Sequence, residues 1–108
     1  MNPDSYFQLN RTIHEKGRLA IMSLLAGAND LSFTELRNTL KMTDGNLSMH
    51  IRTLQQAGYL SVTKQYLKRR PLTTCSLTSE GRASFGQYIN LLEKIVMDNR
   101  PGSSGEKD

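Results

Sequence analysis

The chain has 108 residues, 37% of them hydrophobic, with a formal net charge of +4 and one cysteine. That length fits one domain with a modest core, which oligomerisation would help to stabilise. One cysteine excludes an intramolecular disulfide framework, and no apolar run approaches the roughly 20 residues that span a bilayer. The opening MNPDSYFQLN lacks the basic-then-apolar order of a signal peptide, so the expected compartment is the cytoplasm, with no membrane partner.

Met1 to Asp4 should be loose. From about Asn10 a helix is expected, with Ile13, Gly17, Ala20, Ile21, Leu24 and Leu25 on one stripe and Gly27 as its stop. Tyr6, Phe7 and Leu9 either extend this helix or pack on a partner. Leu31 should pair briefly with a later hairpin as a short strand. Ser32 then opens a second helix, because Ser32-x-x-Glu35 has the spacing of a capping box. Phe33, Leu36 and Leu40 form its inner stripe.

Lys41-Met42 is too short for a linker and makes a tight turn. Thr43 caps a third helix by accepting an orphan backbone N–H of its first turn. Leu47, Ile51 and Leu54 face a core. The outer face carries Asp44, Gly45, Asn46, Ser48, Met49, Arg52 and Gln56, with His50 flanking the apolar stripe. Small residues let such a helix approach a groove, and amides, hydroxyls and a guanidinium hydrogen-bond base edges. Ala57-Gly58 ends it. Two short helices joined by a tight turn, the second polar outside, describe a helix-turn-helix.

A hairpin follows. Leu60 and Val62 alternate with Ser61 and Thr63, and Cys75 and Leu77 alternate with Thr74, Ser76 and Thr78. Pro71 cannot donate to a ladder, which places the turn at Lys68-Arg69-Arg70-Pro71. Between Arg37 and Arg70 seven basic residues, Lys64 among them, oppose one acid, a net of +6, and the rest of the chain sums to −2. So local a basic face argues for a polyanionic partner.

Thr78 or Ser79 caps the last helix, and Glu80 favours its dipole. Phe85, Ile89, Leu92 and Val96 form one stripe, and Tyr88, Leu91 and Ile95 form a second. Together they cover about 160° of the helix, more than a monomer's surface helix needs. The extra width reads as a homodimer seam, supported by Tyr6 to Ile13. The alternative is that the first helix covers it. The layout is an extension over residues 1–9, a folded domain over 10–98 and a polar, Gly/Ser-rich tail over 99–108, expected to be disordered. The fold class is α+β, mostly helical, with a two- or three-stranded antiparallel wing sheet.

The run Leu47-Ser48-Met49-His50-Ile51, then Leu54, then Ala57-Gly58-Tyr59-Leu60, resembles the recognition helix of small bacterial winged-helix regulators of the MarR and ArsR type. Arg69-Arg70-Pro71 followed by Leu77-Thr78-x-x-Gly81 is similar to their wing and its exit. The resemblance covers about residues 12–97. It implies a homodimer that binds pseudo-palindromic operator DNA and represses or activates transcription. Carried over, it sets Asp44, Asn46, Ser48, Met49, His50 and Arg52 in or beside the major groove. It sets Lys68, Arg69 and Arg70 on the backbone or minor groove. The chain leaves little room for the extra helices that shape a ligand pocket in full-length MarR proteins, and it lacks the Cys-rich motif of ArsR metal sensors. A small-molecule effector of unidentified chemistry is left open.

No cofactor, metal or catalytic group is indicated. Strand alternation sets Cys75 inward beside Leu77 as a small hydrophobe. The alternative, redox sensing, would need exposure and a charge from Lys64 or Arg70. His14 and His50 lack partners at metal-ligand spacing, and packing or a phosphate contact suits His50 better. No phosphate loop or Ser-His-acid set is present, so no enzyme is expected. The rival class is a winged helix used as a protein-interaction module, which should expose an apolar patch at the wing. The sequence shows no such patch.

Overall fold

The computed structural model describes residues 4–101. Expectations for residues 1–3 and for the tail over 102–108 lie outside them. Asp4 is not loose: it begins a short helix α1 (Asp4–Gln8). Helix α2 spans Lys16–Ala26, β1 Leu31–Ser32, α3 Phe33–Leu40 and α4 Asp44–Gln56. Strands β2 (Leu60–Leu67) and β3 (Arg70–Leu77) precede α5 (Ser79–Asn99).

Local capping explains most of these bounds. In α3 the Ser32 hydroxyl accepts from the Glu35 N–H at 3.0 Å, and the Glu35 carboxylate accepts from the Ser32 N–H at 2.8 Å. Thr43 Oγ1 accepts from the Asn46 N–H at 3.1 Å to start α4, and Gly58 at φ +85° ends it. Thr78 is the cap of α5, accepting from the Gly81 N–H at 2.9 Å.

Helix α2 begins at Lys16, not Asn10. Asn10 Oδ1 accepts from the Ile13 N–H at 3.1 Å and closes a separate turn. Glu15, extended at φ −148°, is the true cap, accepting from the Arg18 N–H at 2.8 Å. Ile13 still reaches the core from that turn.

The sheet has order β1-β3-β2, all antiparallel, and Leu31 pairs with Cys75. The hairpin turn is Lys68-Arg69 alone, with φ of 53° and 68°. Pro71 is not in the turn but inside β3, opposite Tyr66. Strand β1 reaches only Thr74 and Cys75, so β3 has an open edge at Pro71 where its missing N–H leaves no ladder bond unmade.

The core gathers Ile13, Ile21, Met22, Leu25, Leu36, Leu47, Leu54 and Cys75, all fully buried. It locks α4 by its inner stripe and leaves the outer face and the wing in solvent. The radius of gyration is 16.9 Å with a long axis of 66 Å, against about 13 Å for a compact chain of this length. No helix among the described residues is long and apolar enough to cross a membrane.

Candidate nucleic-acid interface

Helix α4 buries Leu47, Ile51 and Leu54 and exposes Asp44, Gly45, Asn46, Ser48, Met49, Arg52, Gln55 and Gln56. Asp44 is engaged within the chain: Arg37 Nη1 donates to Asp44 Oδ1 at 3.1 Å, and Arg37 Nε donates to Asn38 Oδ1 at 3.3 Å. Such an exposed pair contributes little stability, about 0–1 kcal/mol. Its effect is positional, since it sets a guanidinium at the first turn of α4.

His50 does not share the open face. Its ring packs against Gly17 at the start of α2, where an added Cβ would lie 2.7 Å from His50 Nε2. Arg18 Nη1 lies 3.3 Å from His50 Nδ1, within hydrogen-bond distance. Glu15 Oε1 is 3.7 Å from the same nitrogen, an ion pair only when the ring is protonated. Partial burial alone would raise the Glu15 carboxyl. The backbone N–H groups of Arg18 and Gly17, with His50 and Arg18 beside it, outweigh that and hold it below its ordinary value.

A cleft of about 260 Å³ separates α4 from the sheet. Ser48, Arg52 and Gln55 line it from the helix, and Val62, Lys64 and Thr73 from the strands. Two cations from different elements thus face one groove. Sequence reasoning named Gln56 and missed Gln55. The spacing of Ser48, Arg52 and Gln55, at i, i+4 and i+7, was the available signal.

The wing tip is built against local preference. A two-residue hairpin with both central φ positive is a type I′ turn, the usual place of Asn-Gly. Here Lys68 and Arg69 occupy it, each at a cost of about 1–2 kcal/mol relative to glycine. Lys41, the left-handed cap of α3 at φ 54°, is a third basic residue in this conformation. Lys64, Lys68, Arg69 and Arg70 are all exposed. The wing also exposes Tyr66 and Leu67, at 77% and 59%, so the expected absence of an apolar patch there is not met. The reason is geometric: the strand ends run out into solvent, and nothing among the described residues covers them.

The residues assigned to a seam on α5 divide in two. Tyr88 and Ile95 are only 2% and 5% exposed and belong to the chain's own core, with Leu9 and Ile13. Tyr88 Oη is hydrogen-bonded to His14 Nδ1 at 2.7 Å, and burial raises the Tyr88 phenol. Neither residue has surface left for a second copy. Phe85, Leu91 and Leu92 are half-buried, while Ile89, Val96 and Met97 are exposed. Cys75 is fully buried, and burial alone pushes its thiol up, away from the reactive thiolate. Among the described residues no three His, Cys, Asp or Glu side chains converge on a metal site.

These features agree with known proteins. Residues 18–96 match the family model of a winged helix DNA-binding domain. An uncharacterised protein of Methanocaldococcus jannaschii is 36% identical over 72 residues, 67% of this chain and 78% of that one. A transcriptional regulator homologue from Pyrococcus horikoshii OT3 superposes with TM-score 0.81 at 24% identity, over 86% of this chain and 94% of the other. A protein from Enterococcus faecalis V583, described as a regulator of the MarR family, gives TM-score 0.71 at 22% identity, over 87% and 86%. A helix-turn-helix with a basic two-stranded wing, matched along most of its length, makes this chain a member of the winged helix DNA-binding domain family.

Proposed function

We propose that the protein is a transcriptional regulator that binds operator DNA sequence-specifically as a homodimer. The observation that carries this reading is the shared groove of Arg52 and Lys64, continuous with an acid-free wing. Phosphate contacts from Lys64, Lys68, Arg69 and Arg70 would supply affinity. Asn46, Ser48, Met49, Arg52, Gln55 and Gln56 would meet base edges in the major groove. Asp44 would act through Arg37, and His50 by holding α4 on α2. The protein carries no catalytic role in this reading, and a DNA partner fits a cytoplasmic protein.

The exposed stripe of α5 supports pairing. Ile89, Leu92 and Val96 follow i, i+3 and i+7, with Phe85 one turn earlier; Ile89 and Val96 are exposed, and Leu92 and Phe85 are half-buried. A two-fold pair would set half-sites about one helical turn, roughly 34 Å, apart. The second reading, a protein-interaction module, is favoured by one observation, the bare Tyr66 and Leu67. Selecting bound fragments from the source genome decides between them. A regulator enriches a pseudo-palindromic sequence, and an interaction module enriches none.

A further inference from the structure

The two apolar side chains of the wing have a place in the geometry. Tyr66 lies directly opposite Pro71, one pair back from Leu67 and Arg70, which flank the turn. In a two-residue hairpin the flanking pair exchanges hydrogen bonds, so Tyr66 and Pro71 form the next, non-hydrogen-bonded pair. Their Cβ atoms then stand about 4.5–5.5 Å apart, and ring and pyrrolidine form one apolar unit.

Period two sets Val62, Lys64 and Tyr66 on one face of the ribbon, with Thr73 and Pro71 opposite them. Nearer the body, Val62, Lys64 and Thr73 on that face line the cleft with Arg52. Tyr66 and Pro71 therefore continue the same surface outward. Leu67 points from the other face. No acidic residue occurs anywhere in β2, the turn or β3; Lys64 shares the face of the apolar unit, Lys68 and Arg69 form the turn beyond it, and Arg70 stands with Leu67 on the other face.

An apolar edge whose charged neighbours along the ribbon are all cations fits a partner with anionic rims and an apolar interior. The DNA minor groove has that form: phosphates line its borders, and sugars and stacked base edges line its walls. We propose that the Tyr66–Pro71 pair is a minor-groove wedge that enters beside Arg69 and bends the duplex by partly opening a base step. The inference rests on the DNA-binding reading. It adds selectivity at bases that α4 does not touch, since pyrimidine–purine steps open most easily.

The test compares wild type, Tyr66→Ala, Tyr66→Phe and Leu67→Ala on genome-selected duplexes. Affinity is titrated at several salt concentrations, and bending is read by energy transfer between end labels. Tyr66 is exposed, so its removal leaves the fold intact, which circular dichroism checks. Tyr66→Ala should lower affinity about tenfold, as for removal of one aromatic ring from a base, with an unchanged salt slope and a reduced bend. Tyr66→Phe and Leu67→Ala should keep the bend. Full affinity and bend in Tyr66→Ala overturns the wedge while leaving the regulator reading intact. A changed oligomeric state in Tyr66→Ala with unaltered DNA binding also overturns it, and assigns the patch to a protein contact. Failure of wild type to bind any duplex removes both readings.

Discussion

The His50 ring lies against Gly17, so close that a Cβ on residue 17 would come within 2.7 Å of Nε2 and 3.2 Å of Glu15 Oε1. This contact, with the Arg18 bond to the same ring, fixes how far α4 stands from α2. Gly17→Ala should cost about 1–3 kcal/mol, because a mostly buried ring must move. Adding His50→Ala should recover most of that loss. Urea unfolding of the two single variants and the double variant measures the coupling.

Arg52 and Gln55 share the cleft side of α4. If Arg52 reads a base, Arg52→Ala should cost roughly 1–3 kcal/mol on a selected operator and little on random duplex. Gln55→Ala should follow the same pattern with a smaller loss. Equal losses on both duplexes would make these residues phosphate contacts. Fluorescence anisotropy with the two duplexes distinguishes the cases.

The open stripe of α5 predicts which changes split a dimer. Ile89→Glu or Val96→Glu should raise the dimer dissociation constant by about tenfold or more, since a carboxylate would be desolvated in the seam. Tyr88→Phe should leave association unchanged and lower stability by about 1 kcal/mol through removal of the His14 bond. Sedimentation at micromolar concentration checks both. Wild type that is monomeric there would remove the seam.

Glu15 predicts an acid-side pH dependence. Its carboxyl is held below its ordinary value in the folded chain, so folding favours the charged form. The stabilisation is present at neutral pH and is lost as pH falls from the ordinary glutamate range through the lowered folded value. Glu15→Gln keeps an oxygen for the Arg18 N–H and should flatten that limb. Thermal melts of the two proteins between pH 7 and about pH 3 show whether the curves converge as acid is added.

The sequence was most legible where structure is local. Ser32, Thr43 and Thr78 each cap a helix through a partner three residues on; Ser32 and Thr43 were legible from local sequence, and the structure chooses Thr78 over Ser79. The wing strands were visible by alternation, and Leu31 pairs with the hairpin as expected, the structure setting its partner as Cys75. Tertiary packing hid the rest. Asn10 and Glu15 each begin their own turn, which an apolar stripe running through both does not register. Tyr88 and Ile95 look like seam residues until they are seen in the chain's own core, where Tyr88 meets His14. His50 sits beside the polar face in a helical projection, and only the absence of a side chain at Gly17 draws it inward. Pro71 marks an open strand edge as readily as a turn, and β1 is too short to close that edge.

The wing turn gives the most direct test. Lys68 and Arg69 hold positive φ where Asn-Gly would be less strained. The double variant Lys68→Asn, Arg69→Gly should therefore be more stable, by about 1–2 kcal/mol. It should also bind all duplexes more weakly, with a salt slope reduced by about two, one for each phosphate no longer neutralised. Titration of wild type and this variant against operator and random duplexes at several salt concentrations, beside urea unfolding, reads both effects. Higher stability with weaker, less salt-dependent binding is the result expected of a DNA wing. Higher stability with undiminished binding would contradict it.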